Sequence, residues 1–130
     1  MELVLRRNEL RGEVVSVYFG GGTPSLLYKK ELLSILEAIK DNFSLTESVE
    51  ITLEANPEDC TEDNLNQWKE LGINRLSIGI QSFKTEDLLW MNRGHGESAG
   101  VDSFLLARKC GFNNISVDLM YGLPDLTDKE

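Results

Sequence analysis

Glu54, Gln81 and Asp118 each stand at the end of a short run in which apolar and polar residues alternate, and the run that ends at Phe19 is followed by three consecutive glycines, Gly20, Gly21 and Gly22. Carboxylates accept hydrogen bonds, a side-chain amide both donates and accepts, and glycines without a Cβ let a group lie against bare backbone. These are ligand-type residues. The glycine stretch "GGGTPS" has three readings. One is a tight strand-to-helix turn. Another is a phosphate cradle at a helix N-terminus, with Thr23 and Ser25 adding hydroxyls. The third is an ammonium or carboxylate held by exposed backbone groups. The GxxxxGK[ST] phosphate loop is absent, and Pro24 stands where the GxGxxG dinucleotide turn has a variable residue, so neither of those motifs applies.

The elements that must position these residues follow from hydrophobic periodicity. "EVVSVYF" (13–19), "SVEITLEA" (48–55), "RLSIGIQ" (75–81) and "NISVDLM" (114–120) read as strands. Between them, Leu32, Ile35, Leu36, Ile39 and Phe43 keep helical spacing. Leu65, Trp68 and Leu71 mark a helix stopped by Gly72, Leu88, Leu89 and Met91 a short helical turn, and Phe104, Leu105 and Arg108 a helix stopped by Gly111. Strands alternating with helices predict a parallel sheet with right-handed crossovers.

Parity within the strands narrows the architecture, because alternate residues face opposite sides of a sheet. One side carries Val15, Val17 and Phe19, then Val49, Ile51 and Leu53, then Leu76, Ile78 and Ile80, then Ile115, Val117 and Leu119. The other carries Ser16, Tyr18 and Gly20, then Glu50, Thr52 and Glu54, then Ser77, Gly79 and Gln81, then Ser116, Asp118 and Met120. A doubly wound sheet has two apolar faces. One apolar and one polar face predict an α/β fold of partial TIM-barrel type: helices outside, a polar cavity inside, and Gly20, Glu54, Gln81 and Asp118 at the C-terminal rim where barrels place their chemistry.

Composition bounds the function. The chain has 130 residues, one domain by length, with 22 acidic against 13 basic residues and a net charge of -9. That balance argues against nucleic acid and anionic membranes as partners. No run of 18 or more apolar residues spans a membrane, and "MELVLRRNELRG" has no signal-peptide core; it reads as the last turns of a helix. Cys60 and Cys110 have no metal-ligand spacing and read as reduced thiols of a cytoplasmic protein. Arg93, after a short helix, either bonds the last helical carbonyls or meets a ligand. His95, the only histidine, is a plain loop residue or a haem or metal ligand.

Five ordered blocks, "YFGGGTPSLL", "ITLEANPE", "GINRLSIGIQSF", "MNRGH" and "SVDLMYGLP", resemble the radical S-adenosylmethionine proteins of the oxygen-independent coproporphyrinogen III oxidase group. The resemblance runs from about Val14 to Pro124. "GGGTPSLL", "EANP", "IGIQSF" and the Arg-x-His of "RGH" look more like the haem-chaperone branch, since the oxidases typically read "WGGGTP" and "GVQDF". The resemblance implies that S-adenosylmethionine lies across the rim. Gly21, Gly22 and Thr23 would meet its methionine end, with Glu54, Gln81, Arg93 and Asp118 as further contacts. Glu54 and backbone carbonyls would accept from the ammonium, Arg93 would pair with the carboxylate, and Gln81 and Asp118 would bond the ribose hydroxyls.

The family's [4Fe-4S] cluster needs a C-x-x-x-C-x-x-C run, and this sequence has none. The expectation is therefore a single-domain fragment, residues 1–130, from the centre of a six-stranded partial barrel, inactive alone and with no metal ligands. Its open edges predict self-association. Two function classes are open for the parent: oxidative decarboxylation of porphyrinogen propionates such as those of coproporphyrinogen III, and haem binding and transfer by a chaperone. A third, weaker class is an unrelated phosphate-binding barrel.

Overall fold

Four parallel strands, β1 (Val14–Phe19), β2 (Leu45–Ala55), β3 (Arg75–Gln81) and β4 (Asn114–Leu119), lie side by side in chain order in the computed structural model. The structure describes residues 2–9, 12–93 and 96–123. Gly94 and His95 of the Arg-x-His segment, and residues 124–130, lie outside the described residues. A parallel pair cannot be joined by a tight hairpin, so helices return the chain each time. Helix α2 (Lys29–Asn42) joins β1 to β2, α3 (Glu62–Glu70) joins β2 to β3, and α4 (Thr85–Trp90) with α5 (Glu97–Lys109) joins β3 to β4. A short α1 (Glu2–Arg6) precedes the sheet. Crossovers of one hand that always step in one direction put their helices on one side of the sheet, which is the arrangement of a partial TIM-type barrel.

The apolar side of the strands makes the core, as parity predicts. Leu53, Leu76 and Ile78 pack with Leu32 and Leu36 of α2, Leu65 and Trp68 of α3, and Ala107 of α5 in one buried cluster. Burying each such leucine or isoleucine contributes about 1.5–3 kcal/mol. The cover is uneven. Val15 on β1 is 67% exposed, and Val117 and Leu119 on β4 are also exposed. A crossover helix sits over the groove between the two strands it joins, so the middle strands are covered twice and the outer strands only once.

Helix α5 departs from expectation in which of its residues face inward. Its buried residues are Gly100, Ser103 and Ala107, while the larger Leu105 is exposed. A Cβ at Gly100 would lie 2.6 Å from Ile80 Cγ2. Small residues let this helix approach β3 closely, so its strongest hydrophobes are not its packing face. Helix stops follow the sequence more faithfully. Gly72 and Gly111 have φ of +94° and +86°, and in each case the next N–H reaches back to the last turn, Ile73 to Trp68 O and Phe112 to Ala107 O, both at 3.0 Å.

The polar side of the sheet carries an inward-facing arginine that the parity reading left out. In register, Thr52 lies beside Arg75, and Arg75 beside Asn114. The Arg75 guanidinium donates to Thr52 Oγ1 (3.3 Å) and Ser116 Oγ (3.1 Å), and it lies 3.9 Å from Glu50, which also accepts from Asn114 Nδ2 at 3.0 Å. Thr52 is only 1% exposed. The lower part of the concave side therefore carries a hydrogen-bonded network around a partly buried guanidinium. A polar cavity lies at the C-terminal edge. Among the described residues no helix is long and apolar enough to cross a membrane.

Candidate functional site

The three glycines after β1 answer to two separate demands. Gly21 and Gly22 have φ of +79° and +68°, the left-handed region that side chains strain to adopt, and no atom stands within 4 Å of where their Cβ would be. Gly20 has no such φ. Its missing Cβ makes room instead, since one built there would lie 2.5 Å from Tyr18 Cε1 and 2.8 Å from Glu54 Oε1. The bare backbone at Gly20 thus lets two side chains of the concave face come together. Tyr18 Oη donates to Glu54 Oε1 at 2.8 Å, and the Gly21 N–H donates to Glu54 Oε2 at 3.0 Å.

That arrangement weighs against the phosphate cradle. The Gly21 amide, which an anion would need, already serves a carboxylate. The Ser25 hydroxyl is buried and donates to Asp59 Oδ2 at 2.6 Å, tying the short 3-10 turn Pro24–Leu26 to the loop after β2. A glycine loop faced by Glu54 suits a cationic or hydroxyl donor better than a second anion.

The other rim residues are placed by local irregularities. Gln81 ends β3 with φ of +70°, and the β3–β4 register shifts between Ile78 and Gln81. Its side chain folds back over Gly79, where a Cβ would lie 2.7 Å from Gln81 Nε2. A non-glycine residue held in this conformation stores strain of about 1–3 kcal/mol, and such residues cluster at binding sites. Asp118 on β4 accepts from Ser77 Oγ at 3.1 and 3.2 Å, and Ser77 Oγ in turn accepts from Ser116 at 3.0 Å.

Arg93 is positioned by the end of α4. Asn92 takes φ of +54° and the Arg93 N–H reaches back to Leu88 O at 2.8 Å, the same stop that glycine makes after α3 and α5. The backbone amide of Arg93 closes the helix, so its side chain is free to cross to β2. Its Nη1 donates to Asn56 Oδ1 at 2.9 Å.

These residues converge. One cavity at the C-terminal edge of the sheet is lined by Gly22, Thr23, Glu54, Gln81, Arg93 and Asp118, together with Asn56, Ser77 and Gly79. Six of the seven residues singled out in the sequence share its wall. Gly21 does not line it and acts through its amide on Glu54. Asn56 has no role in the sequence reading, and Ser77 is placed there only on the polar side of its strand. Asn56 carried a usable signal in its position directly after Glu54 and Ala55.

The chemistry of the donor set is specific. Glu54 keeps lone pairs for a cationic N–H donor, Arg93 has guanidinium N–H groups beyond the one given to Asn56, and Asp118 and Gln81 can meet vicinal hydroxyls. An amino-acid group joined to a ribose presents all of these partners, so the residues fit S-adenosylmethionine. An iron–sulfur cluster finds no such fit. Cys60 is buried, with its thiol pushed up to about 12 by desolvation and the charges of Asp59 and Glu58, and Cys110 ends α5 elsewhere. Among the described residues no group of three or more His, Cys, Asp or Glu side chains can hold one metal ion.

Comparison with known proteins bears on the family and the fold. The family model described as "Radical SAM superfamily" matches residues 1–130. The Heme chaperone HemW of Escherichia coli (strain K12) is 38% identical over 118 residues, which cover 91% of this chain and 31% of that protein. The Heme chaperone HemW of Bacillus subtilis (strain 168) is 38% identical over 118 residues, covering 90% and 31%. Among solved structures, the coproporphyrinogen III oxidase HemN of Escherichia coli, a radical SAM enzyme, superposes with a TM-score of 0.85 at 34% identity, over 97% of this chain and 29% of that one. The chain thus spans under a third of the length of these relatives.

Proposed function

Because this chain belongs to the radical SAM superfamily, we propose that it is the central barrel segment of a haem-handling protein of the chaperone type and that its rim binds S-adenosylmethionine. The observation that carries the rim assignment is the convergence of Gly22, Thr23, Glu54, Gln81, Arg93 and Asp118 on one cavity. Glu54 accepts from the ligand's ammonium group and Arg93 takes its carboxylate. Gln81 and Asp118 orient the ribose hydroxyls, and Gly22 lets the methionine end approach the backbone. Bound S-adenosylmethionine supplies the radical chemistry after which the superfamily is named.

The chaperone reading draws its support from the 38% identity to HemW of two bacteria. The structural likeness to HemN, at TM-score 0.85, favours a second reading as a porphyrinogen oxidase. Both place the tetrapyrrole, haem or coproporphyrinogen III, as the small-molecule partner.

Two experiments test these readings. Ligand-detected NMR on this chain should show S-adenosylmethionine binding that Asp118→Ala and Arg93→Ala each weaken; equal binding by all three proteins overturns the rim assignment. Haem titration of the whole parent protein, followed by its Soret absorbance, should show saturable uptake with no vinyl product formed from coproporphyrinogen III. Formation of that product decides for the oxidase.

A further inference from the structure

We infer that Tyr18 is a positioning residue for Glu54, holding its carboxylate toward the cavity so that the remaining lone pairs meet the ligand's ammonium group. The inference rests on the S-adenosylmethionine reading of the rim. Four observations carry it. Tyr18 and Glu54 lie on the concave side of neighbouring strands, with Tyr18 paired in register to Thr52, one inward step below Glu54. The hydroxyl donates to Oε1 at 2.8 Å while the Gly21 N–H donates to Oε2 at 3.0 Å, so both carboxylate oxygens are held and the plane of the group is set. A carboxylate offers about four acceptor sites, so about two are left for a ligand. Glycine at position 20 is required for this pair, since a Cβ there would strike both side chains.

The fourth observation separates positioning from contact. Glu54 lines the rim cavity, whereas Tyr18 lines the neighbouring groove with Phe19, Gly20 and Leu27. Tyr18 therefore reaches Glu54 at the boundary between that groove and the cavity and does not itself line the cavity. Its side chain is 56% exposed, so its hydroxyl contributes little to folding. The bond to Glu54, with desolvation and the charges of Glu54 and Asp118, raises the proton affinity of the phenol against an opposing hydrogen bond with Ser77.

The test uses this chain, the variants Tyr18→Phe, Glu54→Gln and the two combined, and two probes. S-adenosylmethionine carries the amino-acid group; 5′-methylthioadenosine keeps the adenosine and sulfur and lacks it. Circular dichroism confirms that each variant folds. Tyr18→Phe should weaken S-adenosylmethionine about three- to tenfold, a modest loss because the Gly21 amide still holds the other carboxylate oxygen, and leave methylthioadenosine unchanged. Glu54→Gln should weaken S-adenosylmethionine more, and the combined variant should match Glu54→Gln alone. If Glu54→Gln weakens S-adenosylmethionine selectively and Tyr18→Phe does not, the positioning role is wrong and the rim reading stands. If Tyr18→Phe weakens both probes equally, the role is also wrong. If Glu54→Gln leaves binding untouched, or wild type does not bind, both inferences fall.

Discussion

The Arg93 guanidinium donates to Asn56 Oδ1 at 2.9 Å, tying the loop after α4 to the end of β2. Thirty-seven positions separate the two residues, yet both line the rim cavity. Asn56 holds the guanidinium from one side and leaves its other N–H groups for an anion.

Arg93→Ala should therefore weaken S-adenosylmethionine by about tenfold or more, the loss expected when a charge-assisted contact is removed, and Asn56→Ala by a smaller factor. The two effects should be less than additive, because each acts through the same pair. Isothermal titration measures both. Stability in urea should change by no more than about 1 kcal/mol, since the pair is partly exposed.

Gly22→Ala isolates backbone strain from contact. At φ of +68°, with open space around the missing Cβ, the substitution meets no atom and must pay only for the left-handed conformation. The expected loss is about 1–2 kcal/mol in urea denaturation, with Gly22→Asn milder.

Gly100→Ala isolates contact from strain. Alanine favours a helix over glycine by about 1 kcal/mol, but its Cβ would press on Ile80 Cγ2 at 2.6 Å. Overpacking of this kind costs about 1–3 kcal/mol, so net destabilisation is expected in urea melts. Ile80→Ala in the same chain should cost less than it does in wild type, because it removes the clash.

The Cys60 thiol, pushed up to about 12 by burial and by Asp59 and Glu58, should resist iodoacetamide at pH 8 while half-buried Cys110 reacts first; urea should make the two equal. The linkage has a definite sign. The folded state holds the proton more tightly than the unfolded chain, so this contribution to stability is complete below about pH 8.5 and is lost as pH rises through about 12. Denaturation midpoints taken from pH 8 to pH 11 should fall, and Cys60→Ala should flatten the slope.

The local signals were legible without coordinates. Alternation in "RLSIGIQ" placed β3 at Arg75–Gln81, and the glycine stops at 72 and 111 ended α3 and α5 as expected. Strand parity alone brought Glu54, Gln81 and Asp118 to one rim, because period-two alternation and strand direction are set residue by residue. The stop at Asn92 was not legible, since asparagine takes the left-handed conformation only where the surroundings reward it. Neither was the packing face of α5, because the close approach to Ile80 selects small residues over large ones.

Sequence by itself determined that four strands alternate with helices, that one face is polar, and that acceptor side chains close the strands. Only the tertiary structure decided how those side chains are used. The register shift at Gln81, the Arg75 network on the concave side and the Tyr18–Glu54 bond each join residues on different strands or depend on how those strands align. Register is a collective property of the packed sheet: a one-residue slip would turn every one of these side chains to the opposite face, and no short stretch of chain carries that information alone.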